Sequence, residues 1–459
     1  MDPVRNKELE DLDRHLIWHP FTQMKDYMKE VPLIIERGEG SYLMDIYGKK
    51  YLDGVSSLWV SVHGHRKKEI DDAIRNQLDQ VAHSTLLGIS NVSAIELAKA
   101  LVGIAPAGLR KVFYSDNGST AVEIAVKIAF QFWKQEGNGG SKHSFLSFIN
   151  AYHGDTIGSV SLGGIDLFHE MYGSLLFPVY RAPYPYCYRC PLGRSTPACG
   201  LECLNRVEDI LSTHREEIAA LVIEPMIQGA AGMITSPKGY VKGIRELTKK
   251  YGVLLIADEV ATGFGRTGRM FACEHESISP DILCLAKGIT GGYLPLAATL
   301  TTGEIFNAFL GEYKEKKTFF HGHSYTGNPL ACAAAVANLK VMKEERILEN
   351  LQGKIQFLSE ALKEYRKLEH VGDIRQLGMM VGIELVVDKK TKEEYPFEDK
   401  IAIRVIQEAR KRGLIVRPLG NVIVLMPPLS VSHDELSEML SITYDSIKAV
   451  TSPALPSPL

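Results

Sequence analysis

Between about residue 70 and residue 335, two patterns of hydrophobic and polar positions alternate along the chain. Short apolar runs bounded by Gly, Pro or charged residues are typical of buried strands, and they occur as KVFYSD (Lys111 to Asp116), FLSFIN, ALVIEP, VLLIAD and DILCLA. Segments with helical periodicity, such as GYVKGIRELTKKYG, lie between these runs. The alternation predicts an α/β fold with a mostly parallel sheet that helices cover on both faces.

The segment after residue 335 has a different pattern. VGIELVV and NVIVLMPPL are typical of strands, an amphipathic helix is predicted from Asp399 to Arg412, and Ser432 with Glu435 has the spacing of a capping box. We therefore expect a large domain over residues 66–335 and a smaller α+β domain formed by 1–65 together with 336–450. Residues 451–459 are predicted to be a loose, Pro-rich tail.

Composition and charge narrow the class of protein. The 459 residues are 45% hydrophobic and 23% charged, which is typical of a globular chain, and the net charge of -3 offers no basic excess for nucleic acid. No apolar run reaches the roughly 18 residues that span a bilayer, and the charged first residues lack the apolar core of a signal peptide. Seven cysteines, an odd number, do not suggest a disulfide framework. We expect a cytoplasmic protein that binds neither nucleic acid nor membrane.

Two charged residues stand where predicted strands end, which is where open α/β sheets bind their ligands. VLLIAD ends with Asp258, and DILCLA is followed by Lys287 and the flexible segment GITGG. A buried carboxylate and a lysine at one edge of a sheet form either a structural ion pair or part of a reactive site.

Two other strand ends favour the reactive site. Gly118 and Ser119 stand at the predicted start of an apolar helix, where Thr120 and Glu123 have the spacing of a capping box. Free amides there favour an anion, although an ordinary capped helix has the same signature. Tyr152, in the segment YHGD, brings an aromatic ring to the next strand end. An anion cradle, an aromatic surface, a carboxylate and a lysine together match the phosphate, ring, pyridine nitrogen and aldehyde of pyridoxal 5'-phosphate (PLP).

The ordered motifs carry a family resemblance. SDNGSTAVE, AYHGDT, IEPMIQGAAGM, LLIADEVATGFGRTGRMFACEH, PDILCLAKGITGGYLP and HGHSYTGNPLACAAA resemble the class III aminotransferases, which have the PLP-dependent transferase fold type I. RHLIWHPFTQM, SSLWVSVHGH and VRPLGNVIVLMPP are similar to segments of one branch of that class, the diaminopelargonate synthases. These enzymes of biotin biosynthesis convert 8-amino-7-oxononanoate to 7,8-diaminononanoate. The resemblance therefore implies a transaminase that takes a small-molecule amino donor and a keto acid.

The resemblance also implies roles for the residues that match the cofactor motifs. Lys287 resembles the lysine that forms a Schiff base with PLP and then moves the proton, and Asp258 resembles the carboxylate that pairs with the pyridine nitrogen. Tyr152 corresponds to the aromatic residue that stacks on the ring and contacts the substrate. Gly118 and Ser119 correspond to the residues that hold the phosphate.

Other matches concern the substrate and a second subunit. Ser324, in HGHSYTGNP, matches a hydroxyl that reaches the phosphate from the partner subunit in this family, which implies a homodimer with shared active sites. Arg417 matches the arginine that receives the carboxylate of the keto substrate, a task that suits its forked guanidinium. Trp59 and Gly322 are assigned to substrate binding. Supporting parts are assigned to Glu224 and Gln228.

Three positions depart from the pattern of relatives that use S-adenosylmethionine. An expected pair of tryptophans reads Leu58-Trp59, an expected tyrosine is Phe21, and an expected aromatic residue is Val424. The missing hydroxyl and aromatic face weaken the binding of a sulfonium cation. The donor is therefore S-adenosylmethionine or lysine, and an ω-amino-acid:pyruvate aminotransferase of the same class is the alternative function.

Two motifs point to other chemistry. GFGRTG (263–268) matches the dinucleotide pattern G-x-G-x-x-G, but the following RMFACEHESISP leaves no room for the usual helix, which argues against a nicotinamide enzyme. A loop contains four cysteines, whose thiolates would also suit zinc or an iron–sulfur cluster: Cys187, Cys190, Cys199 and Cys203. Only the first pair has the favoured two-residue gap. We assign no metal to the site, and the question of metal binding by this loop stays open.

Overall fold

The computed structural model describes residues 2–136, 141–195 and 199–452, and a seven-stranded sheet lies at its centre. Across this sheet the strands follow in the order Leu109–Ser115, Ala297–Thr302, Ile282–Leu285, Leu254–Asp258, Ile218–Ile223, Ser144–Phe148 and Val179–Ala182. Strand Ala297–Thr302 runs antiparallel to both neighbours, and the other pairings are parallel. The prediction of a mostly parallel sheet is therefore confirmed.

Both faces of this sheet are buried. Along strand Leu254–Asp258, Leu254 and Ile256 belong to one apolar cluster, whereas Leu255 and Ala257 belong to another. Helix Gly118–Gln135 fills the first cluster with residues from Ala121 to Phe132, and helix Tyr240–Lys250 contributes to the second. Successive side chains of a strand point to opposite faces, so burial on both faces produces the continuous apolar runs seen in the sequence.

The longer helices that accompany the large sheet are Lys68–Leu78, Val92–Ile104, Glu202–His214 and Pro329–Glu344. Shorter ones are Met24–Tyr27, Ser56–Trp59, Ile157–Leu162, Asp166–His169 and Gly303–Ala308. Among the described residues, each helix is too short or too polar to cross a lipid bilayer.

A second α+β unit follows the large sheet. Its main sheet contains Val371–Leu377, Met380–Asp388, Val422–Leu425 and Arg417–Leu419, with Glu393–Glu394 paired to the second of these. Its helices are Ile347–Tyr365, Ile401–Lys411 and His433–Thr451. The predicted capping box is confirmed, because the Ser432 hydroxyl accepts from the Glu435 amide and the Glu435 carboxylate accepts from the Ser432 amide. The tail prediction is wrong at Thr451, which ends this helix, and residues 453–459 lie outside the described part.

The N-terminal segment joins this second unit. After helix Pro3–Leu16, the strands Ile35–Glu39, Tyr42–Asp45 and Lys50–Asp53 form a sheet with Leu414–Ile415. Leu52 and Leu414 are partners in a parallel pairing, so residues from opposite ends of the chain share one sheet. This pairing agrees with a small domain built from both ends, whereas the boundaries at 65/66 and 335/336 stay a prediction.

Candidate active site

A cavity of about 680 Å³ lies at the carboxyl ends of the central strands. It brings together six of the residues that the sequence singles out: Trp59, Gly118, Ser119, Tyr152, Asp258 and Lys287. The carboxyl ends of parallel strands meet at one edge of a sheet, which is why segments far apart in the chain converge here.

The side of the cavity that the sequence predicts to hold an anion is the start of helix Gly118–Gln135. The prediction that Thr120 and Glu123 cap this helix is wrong. Asn117 is the N-cap: its Oδ1 accepts from the Thr120 amide (3.0 Å), and Thr120 Oγ1 accepts from the Asn117 amide (3.2 Å). Glu123 instead accepts from the amide of Gly158 (2.7 Å). The cap therefore lies one turn earlier and leaves the first amides of the helix directed toward a possible anion.

Two glycines permit close contact around this helix start. A Cβ on Gly118 would lie 2.5 Å from Val260 Cγ1, and a Cβ on Gly154 would lie 2.4 Å from Ser119 Oγ. Gly154 also has a φ of +119°, which side chains with a Cβ rarely adopt. Ser119 Oγ accepts from the Thr156 amide (3.0 Å), so the hydroxyl has a fixed position.

Asp258 ends strand Leu254–Asp258 and is 5% exposed. Nδ1 of His153 donates to its Oδ2 (2.7 Å), and the amide of Val260 donates to its Oδ1 (3.0 Å). These two hydrogen bonds fix the orientation of the Asp258 carboxylate at the edge of the cavity. The sequence motifs do not predict this role of His153, and its place directly after the strand FLSFIN is the signal that points to it.

Lys287 follows strand Ile282–Leu285 and has a left-handed backbone, with a φ of +48°. Within the described residues its Nζ makes no hydrogen bond or ion pair, and it lies 5.4 Å from the centre of the Trp59 ring. Loss of hydration lowers the pKa of the Lys287 amine, while the negative charges of Asp258 and Glu224 oppose that shift. Lowering the pKa increases the neutral, nucleophilic fraction of the amine.

Glu224 is a cavity residue whose part the sequence underestimated. Its two carboxylate oxygens accept from the amides of Tyr152 and Gly229, both at 2.9 Å. Burial raises the pKa of Glu224 to about 7. Gln228, assigned a similar supporting part, is buried outside the cavity and donates to the carbonyl of Ile149 (3.1 Å).

Tyr152 places its ring at the cavity and anchors its hydroxyl beside it. The hydroxyl donates to Asp155 Oδ2 (2.7 Å), and burial together with that carboxylate raises the pKa of the phenol. The ring packs parallel to His169, with ring centres 6.5 Å apart, and edge-on to Phe168. These contacts give the ring a defined orientation.

Three predicted site residues are not among the described residues that line the cavity: Arg417, Gly322 and Ser324. The guanidinium of Arg417 lies 5.9 Å from the centre of the Phe21 ring, and burial lowers its pKa while Tyr152 raises it. Val424, the cross-strand partner of Arg417, is fully buried. Gly322 and Ser324 are exposed, so the substrate contact of Gly322 and the contact of Ser324 with a partner's site stay predictions.

The cysteine loop has free thiols at each of its four positions. These four side chains border a cavity of about 20 Å³, and burial raises the pKa of Cys203 to about 11. Within the described ranges, no cluster of three or more His, Cys, Asp or Glu side chains has the arrangement of a metal site. The GFGRTG segment forms a turn in which Arg266 is 1% exposed, a feature that its sequence pattern does not suggest.

The groups around the large cavity fit PLP, because several buried polar atoms there have no partner within the described chain. His153 Nε2 and Trp59 Nε1 are buried without a hydrogen bond, and the Lys287 amine is unpaired. The helix start at Gly118 suits a phosphate, Asp258 suits a protonated ring nitrogen, and Lys287 suits an aldehyde. An interior without a ligand rarely leaves so many polar groups unsatisfied.

Comparisons with known proteins agree with this geometry. The family model described as Aminotransferase class-III matches residues 24–447. The adenosylmethionine-8-amino-7-oxononanoate aminotransferase of Geobacter sulfurreducens is 56% identical over 98% of this chain and 100% of its own length, and that of Aquifex aeolicus is 56% identical over 98% of both.

Two solved structures are also similar. That of the adenosylmethionine-8-amino-7-oxononanoate aminotransferase of Methanocaldococcus jannaschii has a TM-score of 0.93 and 50% identity, covering 97% of this chain and 100% of its own. A PLP-bound amine transaminase from an uncultivated Pseudomonas species has a TM-score of 0.90 and 38% identity, covering 95% and 99%.

Proposed function

The chain belongs to the class III aminotransferases, and from that premise we propose that it transfers an amino group to 8-amino-7-oxononanoate, forming 7,8-diaminononanoate in biotin biosynthesis. The observation that carries this proposal is the convergence of Lys287, Asp258 and the helix start at Gly118 on one cavity. The proposed substrate rests on relatives that carry this activity in their names, at 56% identity over nearly the whole chain.

We propose PLP as the cofactor, which when bound supplies a carbonyl that condenses with amines and a ring that takes up electrons. The unpaired amine of Lys287, with its lowered pKa, serves as nucleophile and then accepts and returns a proton. Asp258, fixed by a hydrogen bond from His153, would pair with the pyridine nitrogen. The first amides of helix Gly118–Gln135 bind the phosphate.

Substrate binding is proposed for the residues around Trp59 and Arg417. The indole Nε1 of Trp59 is buried with no hydrogen-bond partner among residues 2–136, 141–195 and 199–452, and it offers a hydrogen bond to a bound ligand. Arg417 is partly buried beside Phe21 and offers a forked guanidinium to a carboxylate. Because the keto acid carries a carboxylate remote from the reacting carbonyl, an arginine outside the lining of the cavity that contains Lys287 suits it.

The proposed donor is S-adenosylmethionine, which the names of the similar proteins favour. Lysine is the competing donor, because Phe21 lacks the hydroxyl, and Leu58 the aromatic ring, that a sulfonium would contact. Purified protein is offered S-adenosylmethionine, lysine or alanine in turn, and it should aminate 8-amino-7-oxononanoate with S-adenosylmethionine and not with the other two. Product formation with lysine but not with S-adenosylmethionine would overturn the proposed donor. Turnover of pyruvate with ω-amino acids, without turnover of the oxononanoate, would overturn the proposed substrate.

Lys287→Ala tests the chemistry itself. The variant should keep its fold but lose turnover and the visible absorption that PLP acquires when bound to the amine. Lys249→Ala, an exposed lysine at the end of helix Tyr240–Lys250, is the matched control and should retain both. An active, yellow Lys287→Ala protein would contradict the assignment.

We also propose a cytoplasmic homodimer whose partner supplies Ser324 to each site. Large apolar side chains in the segment HGHSYTGNP and directly before it are exposed in the single chain, including Phe320 (78%) and Tyr325 (63%). Mixing Lys287→Ala with Ser324→Asp subunits tests the sharing. If sites are shared, each mixed dimer contains one site with both intact residues and activity returns; if they are not shared, both sites stay defective.

A further inference from the structure

A strained segment carries Trp59 to the cavity. In the strap, which we define as residues Ser56–Ser61, the φ angles of Ser56, Ser57 and Trp59 are +52°, +61° and +63°. Left-handed backbone is unfavourable for residues with a Cβ, and it persists where surrounding contacts impose it. The strap therefore needs restraint from its neighbours.

Two charged side chains supply that restraint from different parts of the chain. The carboxylate of Asp53 accepts from the amide of Ser57 (2.8 and 2.7 Å) and from its hydroxyl (3.1 Å). The guanidinium of Arg266 donates to Ser56 Oγ (3.2 Å) and to the carbonyl of Ser61 (2.7 Å). It also donates to the carbonyl of Pro427 (2.8 Å), so one side chain ties both ends of the strap to the second α+β unit.

The environment of Arg266 is unusual for a charged group. It is 1% exposed, and its hydrogen-bond acceptors among the described residues are neutral oxygens rather than a carboxylate. Burial lowers the pKa of Arg266 to about 10, and the charge of Asp53 opposes that shift. Burying a cation without a direct counter-ion is unfavourable. We therefore expect the three hydrogen bonds of this guanidinium to have a role that a neutral side chain would not fill.

The strap is packed so that a small displacement would move Trp59. A Cβ on Gly292 would lie 2.9 Å from Ser61 Cα, and a Cβ on Gly229 would lie 3.3 Å from the Trp59 ring. The ring is 5% exposed and lies 5.4 Å from the Lys287 amine. The backbone angles of the strap therefore decide where the indole stands relative to that amine.

We propose that Arg266 is a positioning residue of the active site: its buried guanidinium fixes the strained strap and thereby sets the Trp59 indole beside the Lys287 amine. Arg266 acts through Ser56 and Ser61 and is not a lining residue of the cavity. The inference deepens the proposed site but concerns its shape before any ligand binds, so it does not depend on the amino donor.

Trp59 itself provides the test, because the chain contains three tryptophans, at positions 18, 59 and 133. Trp18→Phe with Trp133→Phe leaves Trp59 as the single reporter in the full-length, cofactor-free protein. In this background, acrylamide quenching of Trp59 should be weak, since the ring is buried. Arg266→Lys keeps the charge but cannot reach all three oxygens, and it should increase the quenching constant about twofold or more. Arg266→Gln should do the same.

Matched variants separate positioning from a general loss of stability. Arg245→Lys removes a forked pair with Asp281 (2.7 and 2.8 Å) outside the cavity and should lower the melting temperature without changing the quenching of Trp59. Unchanged quenching in folded Arg266→Lys would overturn the proposal. If neither Arg266 variant folds, Ser56→Ala decides. It removes one of the three contacts of Arg266, together with the hydrogen bond from Ser56 Oγ to the carbonyl of Met426 (2.7 Å), and should increase quenching by a smaller factor. No increase would also overturn the proposal. No substrate enters this assay, so its failure differs from failure of the proposed activity.

Discussion

The buried carboxylate of Glu224 makes the stability of the cofactor-free protein depend on pH. Its oxygens hold the amides of Tyr152 and Gly229, which belong to two different loops at the cavity. The perturbation is Glu224→Gln, which is neutral at every pH and leaves one of these two amides without an acceptor. An unsatisfied buried amide costs about 1–3 kcal/mol, so the variant should be less stable than the parent at pH 5.

The sign of the pH effect follows from the raised pKa. The pKa of Glu224 is about 7 in the folded chain and 4.5 as an ordinary glutamate. Below pH 4.5 both states hold the proton, and the group's contribution to stability is complete. As the pH rises from 4.5 through 7, the unfolded chain releases the proton first, so the folded state is progressively disfavoured. At about 1.4 kcal/mol per pH unit, the loss reaches about 3 kcal/mol above pH 7.

Differential scanning of the cofactor-free proteins between pH 5 and pH 8 measures this effect. For a chain of this length, about 3 kcal/mol corresponds to a shift of about 3 °C in Tm. The deficit of Glu224→Gln at pH 5 should therefore disappear or reverse by pH 8. Glu246→Gln, an exposed glutamate on helix Tyr240–Lys250, is the control and should follow the parent. A constant difference between parent and Glu224→Gln across this range would refute the reasoning.

Three further predictions concern the cofactor and the substrate. Gly118→Ala adds a Cβ 2.5 Å from Val260 Cγ1 and should weaken PLP binding about tenfold or more in a cofactor titration; unchanged affinity would mean that the helix start does not hold the phosphate. Asp258→Asn removes the charge opposite the pyridine nitrogen and should lower kcat by about two orders of magnitude or more, with PLP still bound; near-normal kcat would contradict this role. Arg417→Lys loses the forked guanidinium and should raise KM for the oxononanoate about tenfold, while the half-reaction with the amino donor is unaffected. An equal effect on the two half-reactions would mean that Arg417 does not bind the carboxylate of the keto acid.

Local patterns in the sequence predict the strands around the site and the residues at their ends, because each strand is marked by its own run of apolar residues. Continuous apolar runs mark strands buried on both faces, and the residue after each run stands at the edge where parallel strands end. Asp258 and Lys287 were found in this way, and they line one cavity. The sequence motifs alone indicate the class III aminotransferases, and the family model that matches residues 24–447 confirms this family.

Other features depend on contacts that no local pattern contains. The cap of helix Gly118–Gln135 was predicted at Thr120, because Asn117 and Thr120 have equally suitable side chains and only the backbone decides between them. In the segment GFGRTG the glycines form the recognisable pattern, and nothing in it indicates a role for Arg266. The hydrogen-bond partners of Arg266 at Ser56, Ser61 and Pro427 are distant in the chain. Roles that involve a partner subunit, as proposed for Ser324, also lie beyond what one sequence or one chain determines.

The sheet that joins both ends of the chain bears on the order in which the protein folds during synthesis. The seven-stranded sheet uses residues from Leu109 to Thr302 and can form as soon as these have left the ribosome. The early strand Lys50–Asp53 gains its parallel neighbour only after Leu414–Ile415 has been synthesised, more than a hundred residues after the last strand of the large sheet. During that interval the three N-terminal strands have an unpaired edge at Lys50–Asp53. A chaperone that binds the nascent chain would then meet a folded large sheet beside this open edge.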